Sequence, residues 1–194
     1  MVDVDGFART AQERFLRAKL QGNAFYGDAT ALAIGAGVIA GPLRYPLYNL
    51  ETGVFNTVEG DAIVFTHECD IDPGNNRYFN DYFVICPVTP LAAWLEECVS
   101  SESEGYARAL VDAIAADEVN RVFYLPPHNV PSLRHGALLY LNQMTSTHVG
   151  SFELSSPRNL CALSTYGQRA LDWKLENHFK RPKDDQLPQV TSPV

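Results

Sequence analysis

No apolar run in this chain approaches the ~20 residues that a bilayer-spanning helix needs. No CxxC pair occurs among its four cysteines, Cys69, Cys86, Cys98 and Cys161. The first absence excludes a membrane-spanning helix. The second leaves neither a redox motif nor paired zinc ligands. Met1 to Gly6 is acidic and lacks the apolar segment of a secretory leader, so the expected setting is the cytoplasm, with the cysteines as thiols. Three of them stand in apolar surroundings and read as small core hydrophobes. Positive charge is also scarce. Fifteen Lys and Arg against 23 Asp and Glu give a formal net charge of −8. That argues against a chain-wide nucleic-acid footprint, which needs clustered Lys and Arg, while leaving room for a local basic groove.

Several catalytic and cofactor motifs are missing as well. Gly35-Ala36-Gly37 begins like a phosphate loop, but Ala40 holds the place of the third glycine. Pro42 and Pro46 then interrupt where a helix should start, so no dinucleotide site and no cofactor are expected. There is no GxSxG elbow, no Ser-His-Asp order and no internal repeat.

The elements that are present form an ordered series. Val4 to Leu20 places Val4, Phe7, Ala8, Ala11, Phe15 and Ala18 near one face at helical spacing, with Gly22 as a C-cap. Thr30 to Ile39 reads as a bent strand. Gly41 to Gly60 reads as short extended pieces or a long barrel loop. Ala62 to Thr66 and Tyr82 to Cys86 are apolar core strands, joined by a polar connection with a turn at Pro73-Gly74-Asn75-Asn76, and suited to antiparallel pairing. Leu91 to Ala116 is helical, broken by the acidic stretch around Glu102 and Glu104. Arg121 to Leu125 and Ala137 to Leu141 are strands, and Ser151 to Leu154 is expected to be a short one. Tyr166 to Phe179 is a helix, with Thr165 as N-cap and Gln168 completing a capping box. Lys183 to Val194 is polar and proline-bearing, expected to be a loosely held tail.

Helix, strands, helix, strands, helix is an α+β order rather than an alternating βαβ series. Short strands with Gly and Pro corners suit a small barrel. We therefore expect one α+β domain over residues 1–182. Its barrel core spans about 30–90 and 120–155, with an N-terminal helix, a central helical insertion and a C-terminal helix.

The densest group of reactive side chains is His67, Cys69, Asp70 and Asp72. A nucleophilic Cys69 would take His67 as its base, since the two share a strand face. Glu68, Asp70 and Asp72 oppose this, because negative neighbours raise a thiol pKa. A metal module using His67, Cys69 and Asp70, helped by Cys86 or His135, shows only half of a zinc pattern. Pro73 spoils the calcium-loop likeness of Asp70-x-Asp72. The leading reading is structural, with Cys69 packed as a small hydrophobe and Asp70 or Asp72 capping the turn. No metal is expected on that reading.

Gly60 to Thr66, a polar connection, then Phe83-Val84-Ile85-Cys86-Pro87-Val88-Thr89 resembles the core of PemK/MazF-like proteins. In that family a strand ends in Ser or Thr, and a second ends in a Pro-hydrophobic-Thr motif. The resemblance covers residues 30–90 and implies an SH3-like barrel, a toxin–antitoxin setting and ribonuclease activity. It carries Thr66 and Thr89 over as site residues. The family places a basic residue and Pro before the first strand, where this chain has Glu59-Gly60-Asp61. The pattern His67-Glu68-Cys69-Asp70-Ile71 also resembles uncharacterised bacterial proteins found near phage-defence genes.

Together these features lead to a non-catalytic barrel protein that binds another protein of the same bacterial defence or conflict system, with a homo-oligomer also possible. The alternatives are a metal-binding module and an endoribonuclease or other hydrolase using Thr66, His67, Cys69, Asp70 and Thr89. The hydrolase needs a cleft where those residues meet Arg44, Arg77 or Arg134.

Overall fold

The computed structural model describes residues 3–16, 24–27, 34–49, 51–67, 70 and 81–180. Among these residues five α-helices and eight strands follow in the order α1 (Val4–Phe15), β1 (Tyr26–Gly27), β2 (Val38–Asn49), β3 (Val54–Val64), β4 (Tyr82–Pro90), α2 (Leu91–Ser101), α3 (Glu104–Ala115), β5 (Val122–Leu125), β6 (Ala137–Tyr140), β7 (Thr145–His148), α4 (Val149–Ser155), β8 (Arg158–Leu163) and α5 (Thr165–Lys180). The expected Gly22 cap, Thr30 to Ala33, Pro73 to Asn76 and the tail 183–194 lie outside the described residues, and of the strand expected over Thr30 to Ile39 the described part is extended only from Val38.

All strand pairs are antiparallel, in the order β1-β8-β2-β3-β4-β6-β5, with β7 also on β4. The α+β class read from the element order therefore holds. Strand β4 is the hub. One edge takes β3 at Ile85, Cys86 and Pro87. The other takes β7 along Tyr82–Ile85 and β6 along Val88–Pro90. Strand β7 also leans back towards β2, where Thr147 Oγ1 donates to the Arg44 carbonyl at 2.7 Å. No ladder joins β7 to β2 among the described residues, so the sheet curls without closing.

Two cores result. The larger gathers Phe7, Ala11 and Phe15 of α1, Leu91 and Leu95 of α2, Val111 and Ile114 of α3, and the inner faces of β5 and β6. The smaller lies inside the curl of β2, β3 and β4 and comprises Ala40, Leu43, Tyr45, Ala62, Val64, Phe83 and Ile85. Helix α1 buries the stripe its spacing predicts, Phe7, Ala8, Ala11 and Phe15, and Asp3 caps it by accepting from the Gly6 amide at 2.9 Å. The acidic stretch does break the central helix, and Ser103 caps the second half by accepting from the Tyr106 amide.

Four local expectations change. Residues 41–49 and 54–60 pair as the two arms of one long hairpin rather than as short pieces, because β2 absorbs Gly41–Pro42 in a bulge between Ala40 and Leu43. Beyond Gly41, among the described residues only β3 forms a ladder with β2, which leaves an edge where Pro46 removes no ladder donor. Residues 151–154 are helical, not extended. The His148 ring accepts from the Gly150 amide, and Ser155 Oγ donates to the Ser151 carbonyl, which closes the turn. Strands β7 and β8 lack an alternating apolar pattern and are held by tertiary pairing. The cap of α5 is Ser164, one residue before Thr165. Its Oγ accepts from the Gly167 amide at 3.1 Å and donates to the Ala24 carbonyl at 2.6 Å.

Candidate functional site

The end of β3 and the face of α5 enclose an open groove of about 600 Å³. One wall is a single helical stripe of α5: Gln168, Leu171, Asp172, Leu175 and Phe179, spaced at i, i+3, i+4, i+7 and i+11. Phe65, Thr66, His67 and Asp70 make the opposite wall, and Val84 and Met144 also line it.

Each wall is fixed by identifiable bonds. The Phe65 amide donates to the Val84 carbonyl at 2.9 Å, and Thr66 Oγ1 accepts from the Val84 amide at 2.7 Å. Thr66 thus extends the β3–β4 ladder by one side-chain rung. The Asp70 amide donates to the His67 carbonyl at 2.9 Å. Gly37, with φ of +80°, meets the Gln168 side chain. A Cβ at Gly37 would lie 3.3 Å from Gln168 Oε1, so glycine serves both the turn and the close approach.

Helix α5 is held from a different face. Lys174 is only 1% exposed, and its Nζ donates to the Asp117 carboxylate and, at 2.8 Å, to the Val119 carbonyl. Asp117 sits at φ of +66° in the turn after α3. Gly167 brings α5 against the segment before β1, where a Cβ would stand 2.3 Å from the Phe25 carbonyl oxygen.

The groove is acidic and apolar together. Among the described residues lining it, Asp70 and Asp172 are carboxylates, His67 is an imidazole, and there is no Lys or Arg. Asp172 is exposed along much of its surface. Its carboxyl nevertheless loses hydration where it meets the groove, which raises its pKa above the usual carboxylate range.

Of the sequence-derived site residues, Thr66, His67 and Asp70 line this one groove. Cys69 lies outside the described residues, as do Asp72 and Arg77. Thr89 lines a different hollow of about 540 Å³, with Trp94, Glu97, Cys98 and Tyr140. It stands five strand residues from the Val84 rung that holds Thr66, roughly 16 Å at strand rise. Arg44 is on the exposed hairpin, donating to Glu59 at 2.9 Å. Arg134 is exposed beyond a short 3₁₀ turn, next to His135, whose Nδ1 lies 3.1 Å from Asp5 of α1. Neither arginine lines the groove.

Cys86 and Cys161 are buried, and burial pushes both thiols up to about 12. Cys86 donates to the Tyr140 carbonyl at 3.3 Å, so it serves as a packed hydrophobe with one satisfied donor. Among the described residues no group of three His, Cys, Asp or Glu could hold a metal ion. No helix of the described residues is long and apolar enough to cross a membrane.

A third hollow, of about 430 Å³, lies beside the hairpin tip between Pro46, Leu47, Tyr48 and Phe55 and the 142–145 segment. Met144 lines both this hollow and the groove, so the two adjoin. Tyr48 and Phe55 face each other across the ladder, with ring centroids 5.2 Å apart. Phe55 is 70% exposed and Phe179 is 67% exposed, and Tyr48 and Val84 are exposed as well. Sequence reasoning missed this surface. Phe55 and Phe179 read as ordinary apolar members of a strand and a helix, and only the tertiary arrangement leaves them uncovered.

No family model matches the chain, and no curated protein matches it. Among solved structures it is similar to a chain in a crystal structure of MazE-MazF (Form-II) from Deinococcus radiodurans. The identity is 13% and the TM-score 0.38, over 81% of this chain and 98% of that one.

Proposed function

We propose that this chain is a non-catalytic protein that works by binding another protein, as an accessory component of a bacterial defence or conflict system in the cytoplasm. The observation that carries the reading is the uncovered apolar face running from Tyr48 and Phe55, across Met144 and Val84, to Phe179. Contiguous exposed apolar surface rimmed by polar groups is characteristic of interaction sites, and aromatic side chains at its ends are the residue types that anchor interfaces. The core is read as an SH3-like barrel variant. Support comes from the curl of β2, β3, β4 and β7 around the smaller core and from the Thr147–Arg44 bond across its open seam. The defence setting rests on the resemblance of the 60–89 and 67–71 motifs.

The test is co-expression with the products of adjacent genes and co-purification, comparing the natural chain with a Phe55→Ser, Phe179→Ser double variant. Both positions are exposed, so the variant should keep its fold by circular dichroism. A stable complex that the double variant loses is the expected result. Sedimentation of the chain alone distinguishes a second copy as the occupant. A complex indifferent to both substitutions sinks the reading.

A hydrolase or ribonuclease remains the second reading, favoured by one observation: Thr66, His67 and Asp70 share a groove. It requires that purified protein cleave RNA and that His67→Ala abolish cleavage without lowering stability. On the binding reading neither occurs.

A further inference from the structure

The break between α2 and α3 builds a second concave surface, the hollow that Thr89 lines. The Glu102 amide donates to the Cys98 carbonyl at 2.8 Å, Glu102 itself is extended, and Ser103 opens α3 by accepting from the Tyr106 amide at 3.2 Å. The two helices thus meet at an elbow. Its hollow measures about 540 Å³, within the roughly 300–1,000 Å³ of small-molecule sites. One wall is a face of α2, with Trp94, Glu97, Cys98 and Ser101 at i, i+3, i+4 and i+7. Tyr106 of α3 makes a second wall, and Thr89 and Tyr140, from the adjoining strands β4 and β6, make a third. Three aromatic rings and two carboxylates therefore converge on one space. The Trp94 indole N–H donates to the Tyr140 hydroxyl, which fixes those two rings against each other. Burial raises the Cys98 thiol pKa, and the charges of Glu102 and Glu97 raise it further, so both carboxylates bear on one point of the lining. Burial also raises Tyr140, where Glu97 acts in the same sense and Arg121 in the opposite one.

We infer that the α2–α3 elbow binds an organic ammonium cation, its charge held by Glu97 and Glu102 and its alkyl groups set against Trp94, Tyr106 and Tyr140. Aromatic faces and carboxylates attract positive charge together. An alkylammonium is weakly hydrated, so its methyl or methylene groups leave water for the rings while its charge stays beside a carboxylate. An uncharged ligand of the same shape gains only the apolar contact. An anion would meet both carboxylates and the negative faces of the rings. The inference holds whether or not the apolar face around Phe55 and Phe179 binds a partner.

The probes are choline, spermidine and an acetylated trimethyllysine amide, titrated into the full chain at matched ionic strength, with the uncharged tert-butyl isostere of choline as the control. The chain has two tryptophans, so Trp173→Phe leaves Trp94 as the sole indole. Its emission then reports on the hollow, and calorimetry gives the affinity. The tightest of the three cations should change the Trp94 emission and bind at least about tenfold more tightly than the isostere. Tyr106 is exposed, so Tyr106→Ala should keep the fold by circular dichroism while weakening the cation about three- to tenfold. Glu102→Gln should weaken it about two- to fivefold. Glu96→Gln removes an equal charge from α2 at a position that does not line the hollow, and should leave binding unchanged. Preference for choline or spermidine assigns a free small molecule, preference for trimethyllysine assigns a modified protein side chain, and either supports the site. Equal losses in Glu102→Gln and Glu96→Gln mean general attraction to a chain of formal charge −8 and overturn the inference. So does an isostere that binds as tightly as the cations, binding that leaves Trp94 emission unchanged, or no binding of any of the three cations.

Discussion

Replacing Lys174 with methionine tests whether the groove wall is held by one buried ion pair. Methionine keeps most of the apolar stem and removes the ammonium. Asp117, whose side chain is 12% exposed, then loses its cation, and the Val119 carbonyl loses its donor. Removing one partner of a buried pair costs about 3–5 kcal/mol, because the remaining charge stays partly dehydrated. The residual water access of Asp117 places the expected cost at the lower end, about 3 kcal/mol. For a chain of 194 residues that is a fall in Tm of roughly 6–12 °C at 2–4 °C per kcal/mol. The second arm is Lys174→Met with Asp117→Asn. Asparagine accepts the positive φ of position 117 and leaves no stranded charge. The double variant should therefore regain at least about 1 kcal/mol over the single one, a coupling typical of contacting groups. Urea titrations followed by far-UV circular dichroism measure both. A single variant within about 0.5 kcal/mol of the natural chain, the range of an ordinary surface substitution, would refute the anchoring role. A double variant no better than the single would refute the stranded-charge explanation.

Two further outcomes follow from the same helix. Gly167→Ala drives a methyl group to 2.3 Å from the Phe25 carbonyl oxygen, a backbone atom that cannot swing away. The expected loss is about 2–3 kcal/mol from overpacking, read by thermal unfolding, and a neutral result would mean that α5 can slide. Asp172 has a carboxyl pKa raised by burial, so its ionisation opposes folding. That cost is absent below the ordinary carboxylate pKa and appears as pH rises through the folded-state pKa. Asp172→Asn should thus be at least as stable as the natural chain at neutral pH, with the difference closing in acid. Urea midpoints across that range check the sign, and a less stable variant at neutral pH would contradict it.

Periodicity located the parts of the fold that depend on local pattern. The stripe Phe7, Ala8, Ala11, Phe15 is buried as a helix, and the apolar runs 62–64 and 82–86 pair as expected. The break at Glu102 and Ser103 was legible because acidic and hydroxyl residues interrupt an apolar period. The hairpin at 38–64 was not. Its outer half is exposed, so nothing in the hydrophobic pattern distinguishes a long projecting ribbon from a loop. Strands β7 and β8 escaped for a related reason, since Thr145 to His148 is polar and the ladder to β4 supplies its order.

The candidate site divides in the same way. By itself the sequence determined that reactive residues cluster at 67–72 and that positive charge is scarce, because both are properties of the chain read in order. Only the tertiary structure decided what stands opposite them. Helix α5, about a hundred residues further on, is drawn in by Lys174 and Gly167, and it brings Asp172 and an apolar stripe across from Thr66, His67 and Asp70. The same packing sends Thr89 to another hollow and leaves Phe55 and Phe179 uncovered. Proximity across a fold depends on how faces pack, and residue order carries no direct record of that.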